Sequence, residues 1–172
     1  MQIYILRHAI AVPRGTPGYP NDDRPLTEEG IEKMVLGAKG IKEIAGSFDL
    51  IISSPLIRAL DTAKITAEAT RYENQIIVTE YLLPGSPQRS LFKFLADYKH
   101  LEKILLVGHE PHLRYFASKL LGSDEPVIEF KKGGICRIDV EKIPSEKPGK
   151  IIFHIQPRQL RLILNKESNI ND

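Results

Sequence analysis

Short apolar runs rich in β-branched residues alternate with helix-period segments through the first two-thirds of the chain, and this alternation limits the fold most. Gln2–Leu6, Asp49–Ile52, Ile76–Thr79 and Ile104–Val107 each read as a buried strand. Between them apolar residues recur at helical spacing. The first such segment carries Ile31, Met34, Val35, Ala38, Ile41 and Ala45; the second runs from Leu56 to Thr70; the third, Gln88 to Tyr98, turns Leu91, Phe92, Leu95 and Ala96 inward. A fourth helix is expected from about Pro111 to Leu121, ending at Gly122. Strands separated by helices imply an α/β fold: a mostly parallel central sheet with helices on both faces. Beyond Gly122 the spacing shortens. Val127–Phe130, Ile135–Val140 and Ile151–Ile155 read as strands joined by turns too short for a crossover helix, so they add antiparallel strands near the C-terminus. Gln159–Leu164 reads as a last strand.

Local signals place the helix starts. Thr27 is suited to an N-cap, Glu28 and Glu29 fall in the first turn where the helix dipole favours anions, and Gly46 suits the stop. Gly30, Gly37 and Gly40 weaken this helix, so packing must hold it. Ser54 before Pro55 predicts a second N-cap. The segment Ala11–Pro25 holds four prolines, two glycines and the pair Asp22-Asp23, which predicts a long loop of functional character.

With 172 residues, 42% hydrophobic and 27% charged, the chain is expected to form a single domain over 1–164, with a polar tail at 165–172. A net charge of +2 argues against general binding to nucleic acid or to a membrane, and no apolar run approaches a membrane span. One cysteine, Cys136, permits no disulfide within a chain, and no Arg lies six positions after it to complete a cysteine-phosphatase loop. His109 and His112 lack a third clustered ligand and have Pro111 between them, so no metal is expected. A cytoplasmic protein, monomeric or weakly dimeric, is the expectation.

The strand ends carry the chemistry. In an open α/β sheet, ligands bind at the carboxyl ends of the strands. The first strand ends in Arg7-His8, the second in Ser53-Ser54 with Arg58 shortly after, and the fourth in Gly108-His109. Two arginines and a helix N-terminus offer forked donors and positive potential to a tetrahedral anion. Two histidines add a nucleophile and a further donor.

These stretches resemble a known family. Leu6-Arg7-His8-Ala9, Ser53-Ser54-Pro55-Leu56-Ile57-Arg58-Ala59 with Thr62-Ala63, and Val107-Gly108-His109-Glu110-Pro111 are similar to the three signatures of the histidine phosphatase superfamily, also called phosphoglycerate-mutase-like. Arg24-Pro25-Leu26-Thr27 resembles the segment after its first loop, and the Gly108–Leu113 run resembles the SixA-like phosphohistidine phosphatases. The resemblance implies that His8 attacks phosphorus and carries the phosphoryl group transiently, while Arg7, Arg58 and His109 hold its oxygens, with no cofactor. It implies a proton donor near Glu80; Asp22 or Asp23 of the first loop is the alternative, and turn formation also explains that pair. Imidazole, whose conjugate acid has a pKa of about 6.5, leaves without a strong acid, unlike an alkoxide. The 51 positions from Arg58 to His109 leave no room for the extra helices that cover metabolite sites in this family. The implied substrate is therefore phosphohistidine on a protein; a small phosphate ester is the alternative, and a catalytically weak phosphoprotein-binding module a third reading. Asp61 departs from the family pattern, which usually has Gln there, and reads as a solvated helix residue.

Overall fold

A computed structural model describes residues 1–19, 22–145 and 147–164. Six strands form one sheet in the order β3-β2-β4-β1-β5-β6. The parallel part comprises β1 (Gln2–Arg7), β2 (Leu50–Ser53), β3 (Ile77–Val78) and β4 (Lys103–Gly108). The antiparallel part is β5 (Ile135–Asp139) and β6 (Lys150–Ile155). Helices cover both faces. On one face α1 (Glu28–Ala45), α2 (Ile57–Thr70) and α5 (Pro157–Ile163) bury Met34, Ile41, Ala63 and Leu160 against Tyr4, Leu6, Ile51 and Leu105. On the other, α3 (Gln88–Ala96) and α4 (His112–Leu120) bury Leu91, Leu95, Leu113 and Phe116 against Ile3, Ile5, Ile52 and Leu106. No helix among the described residues is long and apolar enough to cross a membrane.

The capping signals of α1 are realised. Thr27 Oγ1 accepts the Gly30 N–H at 3.0 Å, and Gly46, at φ +70°, closes the helix through its N–H to the Lys42 carbonyl. The glycines of α1 have separate reasons. A Cβ on Gly30 would lie 2.0 Å from the Ile10 carbonyl oxygen, and one on Gly40 would lie 2.2 Å from that of Leu160. Gly30 lets α1 approach the chain leaving β1; Gly40 lets α5 cross. Gly37 meets nothing.

Three expectations are corrected. Val127–Phe130 is extended but joins no ladder. Its backbone is engaged by side chains instead: Val127 N–H donates to Ser118 Oγ, Phe130 N–H to Glu110 Oε1, and the Phe130 carbonyl accepts from Arg7. Gln159–Leu164 lies largely in helix α5 and forms no strand; Pro157 opens that helix, and Gln156 with Gln159 forms a capping box. Ser54 does not cap α2. The helix begins after Leu56 with no side-chain cap, and Ser54 Oγ sits 2.8 Å from His109 Nε2. The tail at 165–172 lies outside the described residues.

Candidate active site

The site gathers where β4 runs between β1 and β2. Arg7 is paired with Gly108 and Ser53 with Val107, so the three strands end level. His8 N–H donates to the Gly108 carbonyl, and Ser54 N–H to that of Val107, each at 3.0 Å. Three chain segments far apart in sequence thus release Arg7-His8, Ser54–Arg58 and His109-Glu110 side by side.

His8 is buried, its ring Nδ1 2.7 Å from the Ala9 carbonyl oxygen. That acceptor requires a proton on Nδ1 and leaves Nε2 with its lone pair. Burial pushes the His8 pKa down to about 3, against the pull of the Ala9 carbonyl and with the help of Arg58, Arg7 and Lys132. The ring is neutral at pH 7. The Ala9 peptide is itself fixed: its N–H donates to Thr62 Oγ1 at 3.0 Å, and the Thr62 hydroxyl donates to the Arg58 carbonyl at 2.7 Å. The same residue of α2 thereby holds both the loop that follows His8 and the turn that carries Arg58.

His109 stands beside His8, with ring centroids 5.0 Å apart. Burial, then the charges around it, push its pKa down to about 2. Ser54 Oγ accepts the Leu56 N–H at 3.4 Å and lies 2.8 Å from His109 Nε2, while His109 Nδ1 is buried without a protein partner. Arg7 Nε and Arg58 Nε are likewise buried without a protein partner. Two guanidinium N–H groups and one imidazole nitrogen are thus left without a protein partner.

Arg58 is 3% exposed and is held by Asp22: Nη1 donates to the Asp22 backbone carbonyl at 2.6 Å, and Nη2 to its carboxylate at 2.9 Å. Asp22 also meets Arg24 at 2.8 Å and Arg14 at 3.7 Å. Partial burial works to raise the Asp22 pKa, but hydrogen bonds from Arg24 and Arg58 outweigh it and lower it. Its backbone is left-handed (φ +57°), a conformation Asp tolerates better than most residues.

A cleft of about 480 Å³ joins these groups, lined by Arg7, His8, Arg58 and His109 together with Arg14, Asp22, Arg24, Glu110 and Lys132. Five cations against two carboxylates make it a receptor for a multiply charged anion. A second concavity of about 740 Å³ follows the loop from Arg14 to Tyr19 and shares Arg14, Asp22 and Arg24 with the cleft. Of the three expected proton donors, Glu80 and Asp23 do not line the cleft, whereas Asp22 does. Glu80 is exposed and starts a single 3₁₀ turn, its carbonyl accepting from Ser86 Oγ; Asp23 is exposed in the first loop. Asp61 pairs with Lys64 on the surface of α2. No group of three or more His, Cys, Asp or Glu able to hold a metal occurs among the described residues.

Sequence reasoning missed Ser54 as the partner of His109, the Thr62 link, and the cleft positions of Arg14, Arg24 and Glu110. Glu110 had a signal, its place in the third signature. Arg14 and Arg24 depend on how the first loop folds back, and the Ser54 and Thr62 contacts on how β2, β4 and α2 meet, none of which periodicity encodes.

Comparison with known proteins gives a consistent answer. Residues 3–82 match the model of the histidine phosphatase superfamily, branch 1. An uncharacterized protein of Picosynechococcus sp. is 31% identical over 169 residues, covering 93% of this chain and 99% of its own length. The phosphohistidine phosphatase SixA of Escherichia coli is 21% identical, covering 94% of this chain and 98% of its own. A solved structure of the protein histidine phosphatase SixA complexed with tungstate superposes with a TM-score of 0.82 at 21% identity, covering 93% of this chain and 99% of the other.

Proposed function

This chain belongs to the histidine phosphatase superfamily, and from that premise we propose that it is a phosphatase acting on phosphohistidine in a protein, through a covalent phosphoryl intermediate on His8. The observation that carries this reading is the state of His8: buried, neutral, with Nδ1 committed to the Ala9 carbonyl and Nε2 free inside a cationic cleft.

In the first step the Nε2 lone pair of His8 forms a bond to phosphorus as the bond from phosphorus to the substrate nitrogen breaks. The electron pair departs with the imidazole of the substrate, which takes its proton from solvent. In the second step water attacks phosphorus, the bond to Nε2 breaks, and inorganic phosphate leaves. Two easier displacements replace one hard one. Charge on the transferring group is met by Arg7, Arg58 and His109. Asp22 already engages Nη1 and Nη2 of Arg58, so its carboxylate offsets part of the charge that this guanidinium offers a phosphoryl oxygen. The scheme calls on no metal ion.

Two features support a phosphoramidate on a protein. The carboxylates that line the cleft are Asp22, held ionised by arginines, and Glu110, tied to Arg114, so neither is poised to protonate an alkoxide. The concavity along Arg14–Tyr19 shares Arg14, Asp22 and Arg24 with the cleft and offers room for chain around a phosphorylated side chain. A small phosphate ester is the second reading, because a cleft of about 480 Å³ is itself of small-ligand size. A binding module without turnover is disfavoured by the free Nε2, which binding alone does not need.

Rapid-quench labelling tests the proposal. The wild-type chain, mixed with a protein carrying labelled phosphohistidine, is expected to hold acid-labile phosphate that His8→Ala does not. kcat/KM is expected to be higher on that protein than on sugar phosphates or phosphoserine. Unchanged turnover by His8→Ala would overturn the mechanism, and the reverse substrate ranking would favour the ester.

A further inference from the structure

Arg7 is clamped by a backbone carbonyl, and the N–H of the same residue donates to a buried carboxylate. Arg7 Nη1 donates to the Phe130 carbonyl at 2.6 Å. The Phe130 N–H donates to Glu110 Oε1 at 3.3 Å. The other oxygen of Glu110 pairs with Arg114, one turn along α4. The Glu110 side chain is only 7% exposed, a costly place for a carboxylate unless both oxygens are engaged, as they are here. Arg114 also reaches Glu129, so the segment before Phe130 is gripped from two sides.

The segment is pinned at both ends as well. Val127 N–H donates to Ser118 Oγ, and Gly133 N–H reaches the carbonyls of Arg7 and His8. The Phe130 ring is fully buried and packs edge-on against His154 with centroids 5.2 Å apart. Such a strap has no ladder to fix its rotation, so side-chain hydrogen bonds decide where its carbonyls point. Only Glu110 engages the N–H of the residue whose carbonyl holds Arg7.

We propose that Glu110 is a positioning residue for Arg7, acting through the Phe130 backbone, and that Arg114 serves by orienting Glu110. This rests on the phosphatase reading only in assigning Arg7 to the phosphoryl group. The arrangement spends Nη1 on the protein and leaves Nε of the guanidinium without a protein partner, in a residue that lines the cleft. With the strap unclamped, Arg7 keeps its charge but loses its direction. Binding of a phosphoryl group should suffer, and the transition state, which demands more of the same hydrogen bonds, should suffer further.

The test is a double-mutant cycle read in two ways: kcat and KM on a phosphohistidine protein, and Kd for inorganic phosphate by calorimetry. Glu110→Ala is expected to lower kcat/KM about 30-fold and to weaken phosphate binding several-fold. Glu110→Gln, which keeps an acceptor for the Phe130 N–H, should recover most of that loss. In an Arg7→Ala background Glu110→Ala should cost nothing more. Additive losses, or a Glu110→Gln chain as impaired as Glu110→Ala, would overturn the proposal; the second result would make the ionised carboxylate itself the active element. If Glu110→Ala does not fold, Arg114→Met and Glu110→Gln decide: Arg114→Met should fall between wild type and Arg7→Ala, and wild-type phosphate affinity and kinetics in it would refute the chain of contacts. Should the wild type prove inactive on every phosphate tested, the phosphatase reading fails separately. The phosphate Kd and the 15N signal of Arg7 Nε in Glu110→Ala would still report whether Glu110 sets the guanidinium.

Discussion

Lowering the pH from 7 to 5 should remove about 6 kcal/mol of folding free energy from this chain, because three histidines are folded in the neutral form. His8, His109 and His112 are each at least 94% buried, and burial is the main cause that pushes their pKa values down to about 3, about 2 and about 4. The sign follows from linkage. In the unfolded chain these groups protonate as pH falls through about 6.5; in the folded chain they stay neutral until pH 4 or below. The unfolded state therefore binds more protons between those limits, and stability drops as pH falls. Each histidine contributes about 2 kcal/mol over that interval, and most carboxylates titrate below it. The loss is a large share of a typical folding free energy of about 5–15 kcal/mol. Urea titrations at the two pH values are the assay. For a slope of about 2 kcal/mol/M the midpoint should fall by about 3 M at constant slope. His112→Gln should remove about a third of the pH dependence, since His112 does not line the cleft and its burial acts on stability alone. Equal midpoints at pH 7 and pH 5, or an unchanged dependence in His112→Gln, would refute the reasoning.

Two further outcomes follow from single contacts. Gly30→Ala should cost about 3 kcal/mol and lower Tm by roughly 6–12 °C, since its Cβ would lie 2.0 Å from the Ile10 carbonyl oxygen; Gly37→Ala, which meets nothing, should raise Tm by a few degrees, and equal Tm values in the two would refute the packing argument. Asp22→Asn removes the carboxylate that competes for Arg58, so calorimetry at low ionic strength should show inorganic phosphate bound about fivefold more tightly, about 1 kcal/mol. Weaker binding in that variant would make Asp22 a support for Arg58 instead of its competitor.

The parts of the fold legible in sequence are those governed by local periodicity. β1, β2 and β4 are apolar runs that stop at polar residues, and their level ends follow from parallel pairing in a sheet. Arg7, His8, Arg58 and His109 were legible for the same reason, being one or a few residues beyond those runs. What failed was governed by contacts distant in sequence. Val127–Phe130 has strand composition, yet Ser118, Glu110 and Arg7 claim its backbone groups. Ser54 has a capping residue's chemistry, yet α2 starts only after Leu56 and the Ser54 hydroxyl also meets His109. Gln159–Leu164 lies largely in helix α5, whose local signal is Pro157 at its first turn. The first loop folds Asp22 onto Arg58 through a left-handed turn, and no residue pattern distinguished Asp22 from Asp23 beforehand.

The strand order has a consequence for how the chain is made. β4 lies between β1 and β2, although a ribosome produces it after both. The stretch that matches the family model, 3–82, contains β1, β2 and β3 but not the strand that joins β1 to β2. A nascent chain that has emerged to residue 82 therefore presents two apolar strands with no partner between them, and its helices have no closed sheet to cover. Cooperative folding has to wait for residues 103–108, a non-local closure that is intrinsically slow and leaves strand edges open in the meantime. Ribosome-bound fragments should become protease-resistant only after that strand has cleared the exit tunnel.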